Sequence, residues 1–279
     1  MYKFKFMSSS SLLYLHKKTL SSHAIKNDVD FLLGLIKEKG TTQKRWENYL
    51  GKNESMSEDG NIHSHSSLME HLAFREVTVE GLSDERAILL MWTARFHKLG
   101  ELQRGDILYN LKTADDKAEK IDYLKEHVHS KLKSKYAKEM LEKVLAISLD
   151  EKNLSEDNFD FVDFFGSLKC RGHINTALRM IQQQEIVHYD ILAANVLFNQ
   201  IIPLVGYSGK YRSVRVYLKK NASRIDQAVK NHLTHEKLRK SFKLIYQQDD
   251  FEEKQKFLDI SPAKVTEIRN TWLAFTKEN

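Results

Sequence analysis

Twelve histidines are many for a chain of 279 residues, and two of them have neighbours that suggest chemistry. His71 follows Glu70 in the run Leu68-Met69-Glu70-His71. His97 comes 26 residues later, in Arg95-Phe96-His97-Lys98-Leu99-Gly100-Glu101, and Gly105-Asp106-Ile107 follows. A neutral imidazole is a common metal ligand, and two on antiparallel neighbouring helices can share one ion. On spacing alone the signal is weak, since two helical histidines are more often surface or core residues. His63 and His65 flank Ser64 and can either supplement a metal shell or meet solvent from a loop. His127 and His129 lie in a charged helical stretch and are expected to be exposed.

Other chemistries are poorly served. No glycine-rich phosphate loop and no Gly-x-Ser-x-Gly nucleophile signature is present. The single cysteine, Cys170, excludes a disulfide framework and a cysteine-cluster metal site. It suits a reducing, cytoplasmic setting and reads as a buried bystander, although Lys169 and Arg171 beside it are the kind of neighbours that lower a thiol pKa. Lys210, Arg212, Arg215, Lys219 and Lys220 are interleaved with Tyr207, Tyr211 and Tyr217. Cations with aromatics can track single-stranded nucleic acid, but more commonly they snorkel over a helical core.

These residues need a scaffold, and composition limits which one. The chain has a mass of 32.6 kDa, with 41% hydrophobic and 29% charged residues, enough to bury a sizeable core. Only two prolines, Pro203 and Pro262, and 11 glycines occur. Sandwiches and barrels need more turns than that, so long helices are expected and an all-α fold follows. No apolar run approaches the roughly 18 residues of a membrane-spanning helix. The net charge of +6 is modest, and acids and bases alternate almost throughout, which argues against nucleic acid as a partner.

The apolar spacing turns helical at Asp28, with Phe31, Leu32, Leu35 and Ile36 on one stripe. Residues 1–27 carry five lysines and no acid and read as an arm or a targeting segment. Gly51 to His65 is polar and reads as a loop. Ser83 caps a helix that should end near Gly100. Helices are expected over Asp115–His129, Ser134–Leu149, Phe159–Gln184, Val214–Leu233 and Glu236–Tyr246, with a polar connector over Leu149 to Asn158. Tyr189 to Leu204 is apolar enough to lie deep in the core. Ser261-Pro262 opens a last helix, anchored by Trp272 and Phe275. The division expected is an arm over 1–27, one helical domain over 28–233 and a helical appendage over 234–279.

The order of these words resembles the HD-domain phosphohydrolases, an all-helical superfamily of metal-dependent enzymes, and within it the branch of 5′-deoxyribonucleotidases and small HD domain-containing proteins. That branch carries a Glu-His pair, then a helix ending in His-Asp, a glutamate three residues on and a Gly-Asp-Ile. Here these are Glu70-His71, His97-Lys98, Glu101 and Gly105-Asp106-Ile107. The family's opening helix ends in Arg-x-x-Trp; here Trp46 is kept, with Gln43 in the arginine's place and Arg45 nearby. The family's last metal-ligand aspartate falls at Asp163, with Asp160 one turn away. The similarity covers roughly residues 30–185.

The resemblance implies an HD-type helical bundle with an N-terminal arm and extra C-terminal helices. It implies one divalent transition metal (Mn, Co, Fe or Zn) on His71, His97 and Asp163, with Glu101 and Asp106 assisting catalysis. Arg45, Trp46 and Lys98 would contact a phosphate-containing small molecule such as a nucleoside monophosphate. Members of the branch are often dimers, so a homodimer is implied as well. An ion of this kind polarises a phosphate and lowers the pKa of a bound water.

One departure bears directly on that expectation. Lys98 stands where the family has the ligand aspartate. At about 4 Å and an effective dielectric of about 20, each unit-charge repulsion is worth about 4 kcal/mol, so a divalent ion faces about 8 kcal/mol. Desolvation can neutralise a lysine, a long stem can swing it aside, or its ammonium can take the ion's place against Asp163 and Glu101. The chain therefore reads first as a pseudoenzyme or a ligand- or partner-binding module without need of a metal. A metal-dependent phosphohydrolase is the alternative, and a nucleic-acid binder using residues 207–220 the third reading.

Overall fold

The computed structural model describes residues 23–39, 62–103, 114–148, 155–156, 159–183, 197–232 and 262–278. Among them the chain is helical apart from one short ladder, as the scarcity of proline and glycine predicts. The elements are α1 (His23–Lys39), α2 (Ile62–Glu80), α3 (Asp84–Phe96), α4 (Ala114–Tyr123), α5 (Lys135–Ser148), α6 (Phe161–Gln183), α7 (Ile202–Tyr207), α8 (Arg212–His232) and α9 (Pro262–Glu278). A 3₁₀ turn at Leu99–Glu101 follows α3, and a wider π turn at Leu124–Val128 continues α4. A second π turn, Leu197–Ile201, leads into α7. The ladder pairs β1 (Ser155–Glu156) antiparallel with β2 (Phe159–Asp160). No described helix is long and apolar enough to cross a membrane.

Local signals set several boundaries. Gly81 adopts φ +65°, and Leu82 N–H donates to the Val77 carbonyl at 3.1 Å, closing α2 with the left-handed glycine such an end requires. Ser83 then accepts from Arg86 N–H at 3.4 Å, with Asp84 and Glu85 in the first turn of α3. Asp160 Oδ1 accepts from Asp163 N–H at 2.9 Å and caps α6, which starts at Phe161, because Phe159 and Asp160 are taken by the ladder.

Other boundaries depart from the sequence expectations. The polar run read as a loop through His65 is helical from Ile62. Burial explains the difference: Ile62, His65, Ser66 and Met69 repeat at helical spacing and are all buried. Helix α3 stops at Phe96, earlier than Gly100, and the chain tightens into the 3₁₀ turn instead. Helix α1 begins at His23, ahead of Asp28. Of the apolar stretch Tyr189 to Leu204, the described part buries Leu197, Ile201 and Leu204 but exposes Asn199 and Pro203. Glu236–Tyr246 lies outside the described residues.

Contacts divide the chain into two units. The first comprises 1–41, 66–105 and 112–165. In it α3 packs on α5, and the fully buried Trp92 meets Phe96 and Tyr136 edge-on, with centroids 5.1 and 6.4 Å away. Helix α1 also packs on α5. From α1 the buried Asp28 carboxylate accepts from the backbone N–H groups of Lys133 (3.0 Å) and Ser134 (2.7 Å), just ahead of α5. The second unit comprises 42–65, 106–111 and 166–279. There α9 packs on α7, α8 and the Leu197–Ile201 turn. Trp272 is fully buried and Phe275 nearly so, as expected of the anchors of the last helix.

Candidate functional site

Two of the residues that follow α3, Lys98 and Glu101, are buried charges three positions apart. Helix α3 ends when His97 N–H donates to the Thr93 carbonyl at 3.0 Å. Lys98 then opens the 3₁₀ turn, whose three-residue period lays side chains i and i+3 over one another. That period returns Glu101 to Lys98: Lys98 Nζ donates to Glu101 Oε2 at 2.6 Å. Both residues are 5% exposed. The other oxygen, Oε1, accepts from Lys120 Nζ at 2.8 Å, reaching over from α4. Gly100 permits this approach. A Cβ there would stand 3.0 Å from Leu124 Cδ1 and 3.3 Å from Lys120 Cβ, tighter than ordinary packing. One buried carboxylate thus holds two ammonium groups, each through a short charge-assisted bond.

His97 is half-buried. Its Nδ1 lies 3.0 Å from the Ala94 carbonyl, which leaves the nitrogen no role but donor and puts the lone pair of a neutral ring on Nε2. The ring meets Phe165 edge-on at 5.2 Å. Asp163 is half-buried on the first turn of α6, and His71 is exposed on α2. Among the described residues no group of three or more His, Cys, Asp or Glu side chains is placed to hold a metal ion. Arg45, Trp46 and Asp106 lie outside the described residues.

Glu70 turns inward where His71 turns out. Its carboxylate lies 3.5 Å from Arg95 Nη1, which also donates to Ser67 Oγ at 2.5 Å. Burial pushes the Glu70 carboxyl above its usual range, and the Arg95 charge opposes the shift. Burial likewise lowers the Arg95 guanidinium, with Glu70 opposing.

The remaining candidates sort as follows. His65 is buried on α2, not solvent-facing in a loop, and its ring stacks on the buried His173 at 5.3 Å. His127 is exposed as expected, whereas His129 is half-buried and its Nε2 lies 3.0 Å from Glu142 Oε1. Cys170 is buried, and burial pushes its thiol up to about 11, against the pull of Lys169 and Arg171. It is an inert thiol at neutral pH. Tyr211 and Tyr217 are buried, and the Tyr217 hydroxyl donates to Asn175 Oδ1 at 2.9 Å. The Tyr207 hydroxyl packs 3.0 Å from where a Cβ on Gly166 would be.

Sequence reasoning missed Lys120, Arg95 and His173. Lys120 sits in Asp115-Asp116-Lys117-Ala118-Glu119-Lys120, a run typical of a solvated helix face, and nothing in it marks one lysine as turned inward. No protein-family model, no curated protein and no solved structure matches the chain.

Proposed function

We propose that this chain is a degenerate HD-type helical module, a pseudoenzyme that binds a ligand or partner with its metal position disabled. The observation that carries the reading is the contact of Lys98 with Glu101. An ammonium held at 2.6 Å by a carboxylate, itself shared with Lys120, occupies the ground next to His97 where the resemblance would put a ligand aspartate. This donor set does not suit a divalent ion. Glu101 is engaged on both oxygens by cations, and the neighbouring charge at Lys98 repels a cation. His71, the other imidazole of the expected set, is turned to solvent. A cluster of two ammonium groups on one carboxylate favours an anionic ligand, since lysine acts as a point-charge partner for phosphate.

Elemental analysis of the purified, tag-free chain beside Lys98→Asp tests the reading. The native chain is expected without stoichiometric transition metal, and Lys98→Asp is expected to gain it. A near-stoichiometric metal in the native chain, with phosphate released from nucleoside monophosphates, would overturn the proposal in favour of a metal-dependent phosphohydrolase. If neither chain holds metal, the HD-type assignment of His71, His97 and Asp163 falls with it.

A further inference from the structure

Between Asp190 and Asp226 the sequence contains no acidic residue and six cations: Lys210, Arg212, Arg215, Lys219, Lys220 and Arg224. The six equal the net charge of +6 in number, and the stretch is longer than the other acid-free basic run, residues 1–27 with five lysines. Helix α8 sorts the stretch into two faces. Ser213, Val214, Tyr217, Leu218, Asn221, Ile225, Ala228 and Val229 are buried, while Arg212, Arg215, Lys219 and Lys220 are exposed. At about 1.5 Å per residue the four exposed cations follow one side of the helix over about 12 Å.

Among the described residues none of the four has a carboxylate in ion-pair reach; Arg215 Nη1 donates to the Ser208 carbonyl, 2.6 Å away. Three lysines elsewhere do have such partners: Lys230 with Asp226 at 2.6 Å, Lys264 with Glu267 at 2.8 Å and Lys135 with Glu139 at 3.6 Å; what sets the α8 row apart is that no acid interrupts it. A row of like charges without intervening acids repels itself, and a regular polyanion relieves that repulsion.

We infer that this face of α8 docks on the phosphodiester backbone of a nucleic acid, without reading its sequence. Three observations select that occupant. Tyr211 and Tyr217 are buried and Tyr207, half-buried, precedes α8, so the exposed row itself carries cations and no aromatic ring on which bases could stack, and its contacts are with phosphates. The apolar side of α8 is consumed by internal packing, so the helix has none left to insert into a lipid surface. The exposed side carries a single large apolar residue, Val216, and lacks the aromatic anchors on which protein interfaces depend. The inference is independent of Lys98 and of the reading proposed above.

Fluorescence anisotropy of the full chain with a mixed-sequence DNA duplex, across about 50 to 200 mM salt, tests it. With four phosphate contacts, log K should fall against log salt with a slope of about −3.6. Replacing all four cations (Arg212→Gln, Arg215→Gln, Lys219→Gln and Lys220→Gln) should weaken binding more than tenfold at about 50 mM salt and flatten the slope, with the melting midpoint unchanged. Should that variant fold poorly, Lys219→Gln with Lys220→Gln is expected to halve the slope. Three outcomes would overturn the inference: no binding of the duplex, binding unaltered by these substitutions, or tighter binding to phosphatidylserine vesicles than to the duplex at equal salt.

Discussion

Lys98 and Lys120 share one buried carboxylate, whereas Arg212, Arg215, Lys219 and Lys220 meet water with no carboxylate in reach among the described residues. The same chemical type thus does two jobs. In the turn after α3, charge is taken out of water and must be matched, because an unmatched buried ion is far less stable than a paired one. On α8 charge stays hydrated, costs the fold little and remains available to a partner. Pairing with Glu101 fixes the first cluster in place and leaves it one net positive charge. Freedom from carboxylates makes the second an electrostatic surface.

The largest expected effect comes from breaking the buried cluster on its acidic side. Glu101→Ala leaves Lys98 buried without its carboxylate and should cost about 3–5 kcal/mol in urea unfolding. Adding Lys98→Met removes the stranded charge and should recover most of that loss. If the double variant is no more stable than Glu101→Ala, Lys98 is not held as described. Asp28→Ala sharpens the comparison with a buried charge bound to backbone instead of to a cation. It strips the acceptor from Lys133 and Ser134 N–H and should cost about 2 kcal/mol, read by the same unfolding measurement. A change below about 0.5 kcal/mol, the range usual for surface substitutions, would show this contact to be dispensable.

The smallest effect concerns Glu70. Burial raises its folded-state pKa above that of the unfolded chain, so the folded state binds more protons between the two values. Its contribution to stability is then fully present below the unfolded value, near 4.5, and is lost as pH rises through the raised folded value. Stability followed from pH 4 upward should fall less steeply in Glu70→Gln than in the native chain. An identical slope in both would place Glu70 in water.

Particular residues show how far the sequence carried. The cap at Ser83, the proline start at Pro262 and the anchors Trp272 and Phe275 were legible because each acts through its own few neighbours. The helix over Ile62–His65 was not, since a polar run says nothing of the surface that buries it. At the candidate site, Lys98 was identifiable as a charge in an unusual position, with Glu101 as an expected partner. Lys120 was not, because its approach depends on how α4 packs at Gly100.

The sequence by itself determined that this protein is helical, where most described helices run, and that six cations lie between Asp190 and Asp226 with no acid among them. These follow from composition, period and local capping, which act over a few residues. Only the tertiary structure decided which charges go inside. Whether a lysine 19 residues from a glutamate reaches it, or an aspartate over a hundred residues away binds the backbone just ahead of a helix, depends on long-range packing. Desolvation and pairing exist only once that packing has formed.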